Sequence, residues 1–394
     1  MKFLGYVKLY ILRYMLFFLV RLLALFVKVD PKVVLFVSFG GKSYSDNPRY
    51  LFEYMQQSKN FADYHFIWGL KKPDPVEGAE TVKFNSIRYF YWLSKAKYWV
   101  FNSKMAPYYY KKPGQVYLQT WHGTPLKHLG HDIEDNGSTY YRSKQSYSQM
   151  VRSYDNDRSH WDYLVSPNAF STNAFVSAFG ISKDQILELG YPRVDCLVNA
   201  SNTTVADLKR KYGIPAGKKV VLYAPTWRDN SFGVSGYTLE LQVDFYRWRS
   251  YLGDDYVVLF KPHYLISNNY HVPADLTDFV FLMNANADIN DAYLMTDVLV
   301  TDYSSVFFDF AVLGRPIYFY MYDFDEYENE LRGFYLKIPD DLPNDIDKSE
   351  EGFLEKIRNE DFNYDRLAAF NQGFNVCNDG QVCKKVIGRV FSEI

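Results

Sequence analysis

Four short motifs place chemically capable side chains directly after strand-like runs of apolar residues. The first is WHGTP, residues 121–125, where Gly123 and Pro125 fix a tight turn after the run "QVYLQ" and leave His122 near the strand end. The unperturbed pKa of histidine lies near neutrality, so His122 is a candidate general base. The alternative is a buried histidine that is bonded to the backbone, and the residues alone leave both open.

The second motif is APTWRD, residues 224–229, which follows the apolar run "KKVVLY". It places Arg228 and Asp229 just beyond a predicted strand, and a guanidinium group suits two-pronged recognition of a phosphate. The alternative is an ordinary ion pair between Arg228 and Asp229 at the surface.

The third motif is FKPHY, residues 260–264, in which Lys261 and His263 lie on either side of a proline after the run "DYVVL". In an extended segment, alternate residues point to the same side. We therefore predict that the two side chains hold one anionic group together.

The fourth motif is TDYSS, residues 301–305, between the strand-like run "DVLV" and an apolar, helix-like run. Ser304 and Ser305 are predicted at the first positions of that helix, where backbone N–H groups and the helix dipole favour an anion. An ordinary N-cap is the alternative, but it needs only one serine. The sequence holds neither the P-loop pattern nor the dinucleotide-binding glycine pattern.

Together the motifs predict a cleft with a candidate base on one wall and cationic and hydroxyl groups for a diphosphate on the other. This arrangement suits transfer from a nucleotide-activated donor to a hydroxyl acceptor. No histidine, cysteine and carboxylate cluster has metal-ligand spacing, so no protein metal site and no further cofactor is predicted. A Mg²⁺ ion that binds through the donor diphosphate is compatible with the sequence.

The elements that carry these motifs alternate between strand-like and helix-like segments. The strand-like runs include "KVVLFVSFGG", "HFIWGL", "KYWVFN", "DYLVSPN" and "PIYFYMYD", and helix-like segments cover 48–58 and 86–96. At 394 residues, two domains are expected. We predict an α/β protein with two Rossmann-like domains, residues 31–198 and 199–394, whose parallel sheets face a cleft.

Residues 1–30 differ from the rest because they are apolar but carry five cations and no acid before Asp30. The cations are Lys2, Lys8, Arg13, Arg21 and Lys28. The longest uncharged run, Tyr14–Val20, is too short to span a bilayer. We predict a helix that lies in the membrane interface with its cations near anionic head groups. A buried core helix is the alternative.

The composition excludes some classes of protein. The net charge of −2 gives no reason to expect nucleic acid as a partner. The three cysteines fit neither a disulfide framework nor a zinc site, which favours a reducing, cytoplasmic compartment.

Seven motifs resemble one protein family, in the same order along the chain from about residue 33 to 335. They are "FVSFGGKSYSDNPRYLFEYM", "YLQTWHGTPLKHLG", "DYLVSPNAFSTNAFVSAFG", "ILELGYPRVDCL", "VVLYAPTWRD", "VVLFKPHYLIS" and "DVLVTDYSSVFFDFAVLGRPIYFYMYDFDEY" with "RGFY". The family is that of the CDP-glycerol:poly(glycerophosphate) glycerophosphotransferases, the teichoic acid primases and polymerases of Gram-positive bacteria.

The resemblance implies a GT-B-like enzyme at the cytoplasmic face of the cell membrane, made of two domains. It would transfer a polyol phosphate, with glycerol phosphate expected, from a CDP-polyol to a hydroxyl of a lipid-linked glycan or teichoic acid acceptor, and release CMP. His122 corresponds to the family's general base. The resemblance places His263, Ser304 and Ser305 at the donor phosphates, and the motifs themselves add Lys261 and Arg228 as donor phosphate-binding residues. The residues expected to support them are Thr124, Asp229, Thr301 and Asp302.

Two departures from the family pattern are visible. Many members have Arg where this chain has Lys261, which lacks the guanidinium fork, and the Pro-Gly-Pro expected after "RGFY" is absent. The chain length is closer to that of a primase or short-chain transferase than to that of a large polymerase.

Two rival functions stay open. One is a GT-B glycosyltransferase that uses a nucleotide sugar, although the pair of glutamates typical of many retaining members is missing. The other is a membrane-docked binding protein without activity, against which the intact His122, His263, Ser304 and Ser305 weigh.

Overall fold

The protein is an α/β structure with two parallel sheets, seen here in a computed structural model. The structure describes residues 2–135, 146–226, 232–233, 236–237, 241–262, 270–284, 287–325 and 333–391. Side chains are described from residue 13 onward within those ranges, except at 232–237. The two sheets confirm the predicted α/β class.

The first sheet has seven parallel strands in the order β3-β2-β1-β4-β5-β6-β7. These are β1 (Asp30–Val37), β2 (His65–Leu70), β3 (Glu80–Lys83), β4 (Ala96–Phe101), β5 (Val116–Gln119), β6 (Tyr163–Ser166) and β7 (Ile186–Glu188). The central strands are continuous runs of apolar residues because helices cover both faces of a parallel sheet. The predicted strands in this half are confirmed, whereas β3 and β7 were not predicted.

Six described helices accompany the strands of this sheet, and some of them begin at a side-chain cap. They are α1 (Lys2–Phe26), α2 (Asp46–Gln57), α3 (Ile87–Lys95), α4 (Tyr147–Arg158), α5 (Ala169–Phe179) and α6 (Asp195–Asn199). Ser86 caps α3 and Asn168 caps α5, each by accepting a backbone N–H bond, and Gly180 ends α5 with a φ of 60°. The predicted helices at 48–58 and 86–96 are confirmed as α2 and α3.

The second sheet has six parallel strands in the order β12-β11-β8-β13-β14-β15. They are β8 (Lys219–Ala224), β11 (Tyr256–Phe260), β12 (Val280–Leu282), β13 (Val298–Thr301), β14 (Ile317–Tyr320) and β15 (Ile346–Asp347). Strands β9 (Phe232–Gly233) and β10 (Gly236–Tyr237) form a separate antiparallel pair. The helices of this half are α7 (Asn202–Lys211), α8 (Phe245–Leu252), α9 (Ile289–Met295), α10 (Val306–Ala311), α11 (Glu350–Arg358), α12 (Tyr364–Phe374) and α13 (Val382–Val390).

The last helix returns to the first sheet. α13 packs against α2, and Phe391, which follows α13, packs its ring 4.1 Å from that of Tyr98 and 5.7 Å from that of Phe61. The strands of the first sheet end at Glu188 and those of the second begin at Lys219. The domain ranges 31–198 and 199–394 remain predictions.

Helix α1 has two different faces among its described side chains. Leu16, Leu19 and Leu23 pack against the core beside Val20, which is fully buried. The opposite face exposes large apolar side chains, which are Tyr14, Met15, Phe18, Leu22, Leu25 and Phe26. In the described part of the chain, no helix has the length and apolar character needed to cross a bilayer.

Candidate active site

The turn after β5 presents His122 at the carboxyl edge of the first sheet. Its Nδ1 lies 2.6 Å from the carbonyl oxygen of Asn102, which follows β4. A carbonyl only accepts hydrogen bonds, so Nδ1 carries the proton and Nε2 keeps a lone pair. The imidazole stacks on Trp121 with ring centroids 4.7 Å apart and meets the edge of Phe39 at 5.8 Å. These contacts hold the ring in the tautomer that a general base requires.

The surroundings of His122 keep its imidazole neutral. His122 is exposed at the edge of the sheet, yet the protein atoms packed around the imidazole dehydrate it, and this loss of hydration lowers the pKa of His122 below its usual value. The nearby carboxylate of Asp46 and the Asn102 carbonyl oppose this shift, whereas the cations Arg193 and Lys104 add to it. His122 is therefore available as a base at neutral pH.

Three hydrogen bonds from two buried side chains fix the turn that carries His122. Asn47 donates from Nδ2 to the carbonyl oxygens of Thr120 and Trp121, both at 3.1 Å. Tyr191 donates its hydroxyl to the carbonyl oxygen of Gly123 at 2.8 Å. Trp121 has a φ of 51°, a strained value that persists only where neighbours impose it. Thr124, expected to support the site, is buried in the same turn.

The serines of the TDYSS motif lie directly opposite this turn. A β-carbon built on Gly123 would lie 3.0 Å from Ser305 Oγ, so only glycine leaves the present spacing undisturbed. Ser304 and Ser305 are both partly exposed, and the side chain of Ser305 makes no helix-capping hydrogen bond. They precede α10, which begins at Val306, so their predicted place inside the helix was wrong by one to two residues.

Thr301 and Asp302 are buried and connect neighbouring strand ends. The Thr301 hydroxyl donates to the carbonyl oxygen of Ala224 at 2.7 Å, and Asp302 Oδ1 accepts from the backbone N–H of Thr226 at 2.8 Å. Both bonds join the carboxyl ends of β8 and β13. Thr301 and Asp302 thus tie together the strand ends that precede the two serines, and their supporting role stays a prediction.

Lys261 follows β11 at the same edge of the second sheet. Its Nζ donates to the carbonyl oxygens of Asn284 and Ala287, at 3.2 and 2.9 Å. Burial lowers the pKa of Lys261 to about 8, although Asp288 and Asp291 act in the opposite direction. A partly dehydrated ammonium at a strand end can gain much from a bound anion.

Three predicted residues, Arg228, Asp229 and His263, lie outside the described residues. Their roles, including the pairing of His263 with Lys261, stay predictions. In the ranges that the structure describes, no group of three or more histidines, cysteines and carboxylates is placed to hold a metal ion.

Sequence reasoning missed a set of charged residues between the two sheets. Arg193 forms ion pairs with Asp46 and Asp309, and Arg49 of α2 forms one with Asp288 beside α9 at 3.0 Å. The sequence did contain a hint of these residues, because the stretches "GYPRVD" and "SDNPR" belong to the ordered motifs that resemble the family. The ion pairs themselves could not be predicted from these motifs, because the paired residues are far apart in the sequence.

The segment that follows the His122 turn in the sequence makes a second connection between the two halves of the chain. Residues 126–128 pair with 333–335: the backbone N–H of Tyr335 donates to Leu126 O at 2.9 Å, and that of His128 donates to Gly333 O at 3.1 Å. The ring of His128 lies 4.7 Å from that of Tyr335. The segment directly after the WHGTP motif and residues 333–335, distant in sequence, therefore meet in the structure.

Comparisons with known proteins identify the family of this chain. Residues 19–392 match the family model described as CDP-Glycerol:Poly(glycerophosphate) glycerophosphotransferase. The chain is 44% identical over 368 residues to the teichoic acid poly(glycerol phosphate) polymerase of Staphylococcus epidermidis, covering 88% of this chain and 49% of that protein. It is 39% identical over 373 residues to the teichoic acid glycerol-phosphate transferase of Staphylococcus aureus, covering 92% and 93%.

A solved structure shares the whole fold. The wall teichoic acid polymerase TagF superimposes with a TM-score of 0.88 at 38% sequence identity, covering 100% of this chain and 97% of that one. The present chain spans about half the length of the Staphylococcus epidermidis polymerase, 49%, and the same share of a Bacillus subtilis polymerase.

Proposed function

Because this chain belongs to the CDP-glycerol:poly(glycerophosphate) glycerophosphotransferase family, we propose that it transfers glycerol phosphate from CDP-glycerol to a hydroxyl of a teichoic-acid-type acceptor. CMP is the second product. The two parallel sheets and the likeness to TagF give it a GT-B-like architecture. In such folds the ligands bind at the carboxyl edges of the strands, and the WHGTP and TDYSS motifs both lie there.

One observation carries the proposal. Gly123, next to the candidate base, lies so close to Ser305 that an added β-carbon would be 3.0 Å from its hydroxyl oxygen. The turn that carries His122, a residue that can take a proton, therefore approaches Ser305, whose hydroxyl can bind a phosphate. Group transfer needs this proximity, because the acceptor oxygen must be held against the phosphorus while it loses its proton.

The reaction can be assigned to the described residues. Nε2 of His122 accepts the proton of the acceptor hydroxyl, and the resulting oxygen nucleophile attacks the phosphorus that bears glycerol. A new bond between oxygen and phosphorus forms, and the bond from that phosphorus to the bridging oxygen breaks. CMP leaves with the electron pair of the broken bond. Ser304, Ser305 and Lys261 donate hydrogen bonds to the diphosphate. These bonds stabilise the negative charge that develops on the phosphate of CMP as the bridging bond breaks.

The rival function, sugar transfer from a nucleotide sugar, has less support. The S. epidermidis and S. aureus relatives are named for glycerol phosphate transfer or polymerisation. A nucleotide sugar would release UDP or another diphosphate, whereas the proposed reaction releases a monophosphate. Incubation with CDP-glycerol, CDP-ribitol and UDP-sugars in parallel therefore separates the functions. We expect CMP from CDP-glycerol and an acceptor product heavier by one or more glycerol phosphate units; UDP release alone would contradict the proposal.

We further propose that α1 docks the enzyme on the cytoplasmic face of a membrane, where a lipid-linked acceptor would be reached. Phe18, Leu22 and Leu25 belong to an exposed apolar face that the core does not cover, and Phe26 extends it. Arg13 and Lys28 are exposed near the two ends of that face and carry the charge that attracts anionic lipids. The C-terminal end of α1 is anchored, because Lys112 Nζ donates at 2.5 Å to the carbonyl oxygen of Val27, the residue that follows the helix.

A further inference from the structure

Three charged residues that are distant in sequence form a buried cluster between the two sheets. Arg193 donates from Nη1 to Asp46 Oδ1 at 2.9 Å and from Nε to Asp309 Oδ2 at 2.9 Å, and its Nη2 lies 2.7 Å from the same Asp309 oxygen. All three side chains are more than nine-tenths buried. We call Asp46, Arg193 and Asp309 the buried ion cluster.

The buried ion cluster is joined directly to the turn that carries His122. The backbone N–H of Arg193 donates to Oδ1 of Asn47 at 3.1 Å, and Nδ2 of Asn47 donates to the carbonyl oxygens of Thr120 and Trp121. Asn47 is fully buried, and its amide makes three hydrogen bonds. The Trp121 carbonyl belongs to the peptide bond that leads into His122. A shift of Arg193 or Asn47 would therefore move the base.

The same cluster is joined to the donor side of the cleft. Asp309 lies in α10, four residues after Ser305, so its ion pair holds the helix that directly follows the two serines. On the neighbouring helix α9, Asn290 donates from Nδ2 to the Arg193 carbonyl oxygen at 2.7 Å. Arg193 thus bonds through its side chain and its backbone to elements of both halves.

The physical properties of such a cluster suit positioning. Buried charges keep a single arrangement because any displacement leaves a charge without its partner in a medium of low dielectric constant. The guanidinium fork binds both carboxylates in fixed directions, which a flexible ammonium does not reproduce. Asp46 adopts a φ of 61°, so the start of α2 is also held in a backbone conformation that needs support.

We propose that the buried ion cluster, acting through Asn47 and α10, sets the distance between His122 and the donor serines, and that Asp46, Arg193 and Asp309 are positioning residues for the transfer. The inference rests on the proposed function for its kinetic consequence. The structural part of the inference does not depend on the substrate. The ion pairs of Arg193 and the hydrogen bonds of Asn47 connect the His122 turn with α10 whichever donor binds.

The test compares isosteric variants of the cluster with a matched control. Asp46→Asn and Asp309→Asn remove one charge each, and Arg193→Lys keeps the charge but loses the fork. The control is Asp347→Asn, which breaks the pair between Asp347 and Lys356 at 2.7 Å, a partly buried ion pair away from the cleft. Thermal unfolding identifies the conditions in which every variant is folded, and kcat and KM are measured there with CDP-glycerol.

Two readouts separate positioning from a general loss of stability. A base displaced by about 1 Å costs roughly a hundredfold in rate, so kcat should fall by about that factor in Arg193→Lys and Asp46→Asn while the KM for CDP-glycerol changes little. Asp46 raises the pKa of His122, whereas Arg193 and Lys104 lower it. Asp46→Asn should therefore lower the pKa of His122, measured by NMR of its imidazole, and Asp347→Asn should leave it unchanged.

The outcomes are distinguishable from a failure of the proposed function. If the wild-type protein does not consume CDP-glycerol, the proposed function is wrong, and the NMR signals of His122 still test the cluster. If the wild type is active but the cluster variants lose no more kcat than Asp347→Asn, and the His122 signals do not move, the positioning role is overturned. A fall in kcat together with a changed His122 pKa supports it.

Discussion

Gly123 and Ser305 belong to opposite halves of the chain, yet a β-carbon on the glycine would lie 3.0 Å from the serine hydroxyl oxygen and 3.9 Å from the serine β-carbon. The hydroxyl oxygen of Ser305 is therefore the atom that limits how closely a side chain at position 123 could approach. The absence of a side chain at position 123 lets the turn with His122 approach the donor serines.

This relationship predicts a specific coupling between two substitutions. Gly123→Ala should destabilise the protein by about 1 kcal/mol through the close contact with Ser305 Oγ. In a Ser305→Ala background the same change should cost almost nothing, because the nearest remaining atom is at ordinary contact distance. Denaturant unfolding of the four proteins measures the coupling. Gly373→Ala is the control, since nothing lies within 4 Å of its added carbon. Equal costs of Gly123→Ala in both backgrounds would contradict the contact.

Replacement of His122 should remove the chemical step and spare donor binding. General-base catalysis contributes about 10² to 10⁴ in rate, so His122→Gln should lower kcat by at least about a hundredfold while the affinity for CDP-glycerol is kept. The matched control is His160→Gln, because Nδ1 of His160 also lies 2.6 Å from a backbone carbonyl, that of Asn156. Steady-state kinetics and calorimetry with CDP-glycerol measure both quantities. An active His122→Gln protein would show that another group is the base.

The pH dependence should follow the lowered pKa of His122. A base must be unprotonated, so kcat/KM should fall as the pH drops through the pKa of His122, and the midpoint should lie below the usual value for histidine. A pH–rate profile from pH 5 to 8 measures the midpoint. A midpoint above the usual histidine value would mean that the surroundings of the ring do not dehydrate it as described.

Donor binding should weaken at alkaline pH because of Lys261. Its pKa of about 8 means that, in the free enzyme, the ammonium loses its proton and its charge as the pH rises through that value. The Kd for CDP-glycerol should therefore rise above about pH 8, and Lys261→Arg should remove this rise because guanidinium stays charged. Lys218→Met is the control, since Lys218 also donates to two backbone carbonyls, at 2.9 and 2.6 Å. If Lys261→Met binds the donor as the wild type does, Lys261 does not contact the diphosphate.

Membrane binding should depend on the exposed face of α1. Phe18→Glu and Leu22→Glu place charges on that face without touching the buried face around Val20, so they should weaken binding to anionic vesicles and preserve the fold. Val376→Glu adds the same charge at another exposed apolar position and serves as the control. Vesicle sedimentation and circular dichroism measure the two effects. If both α1 variants bind vesicles as well as the wild type does, the exposed face of α1 does not bind the membrane.

Much of the fold follows from local patterns in the sequence. Buried parallel strands such as β1, β2 and β11 contain unbroken apolar runs, so their positions were predictable, and α2 and α3 lie where helix-like segments were predicted. Short strands at or near the sheet edges, such as β3 and β12, were missed. Each has only three or four residues, and side chains within them are partly exposed, which leaves no distinctive pattern.

The sequence by itself determined which motifs end strands, and hence that His122, Lys261, Ser304 and Ser305 lie at carboxyl edges of parallel sheets. Only the tertiary structure decided that Gly123 meets Ser305, that the Asn102 carbonyl selects the tautomer of His122, and that Arg193 joins Asp46 to Asp309. Strand ends are visible in the sequence because an apolar run stops there at glycine, proline or polar residues. The tertiary contacts instead join residues up to 182 positions apart, and those of Gly123 with Ser305 and of Arg193 with Asp309 exist only once the two halves of the chain are packed together.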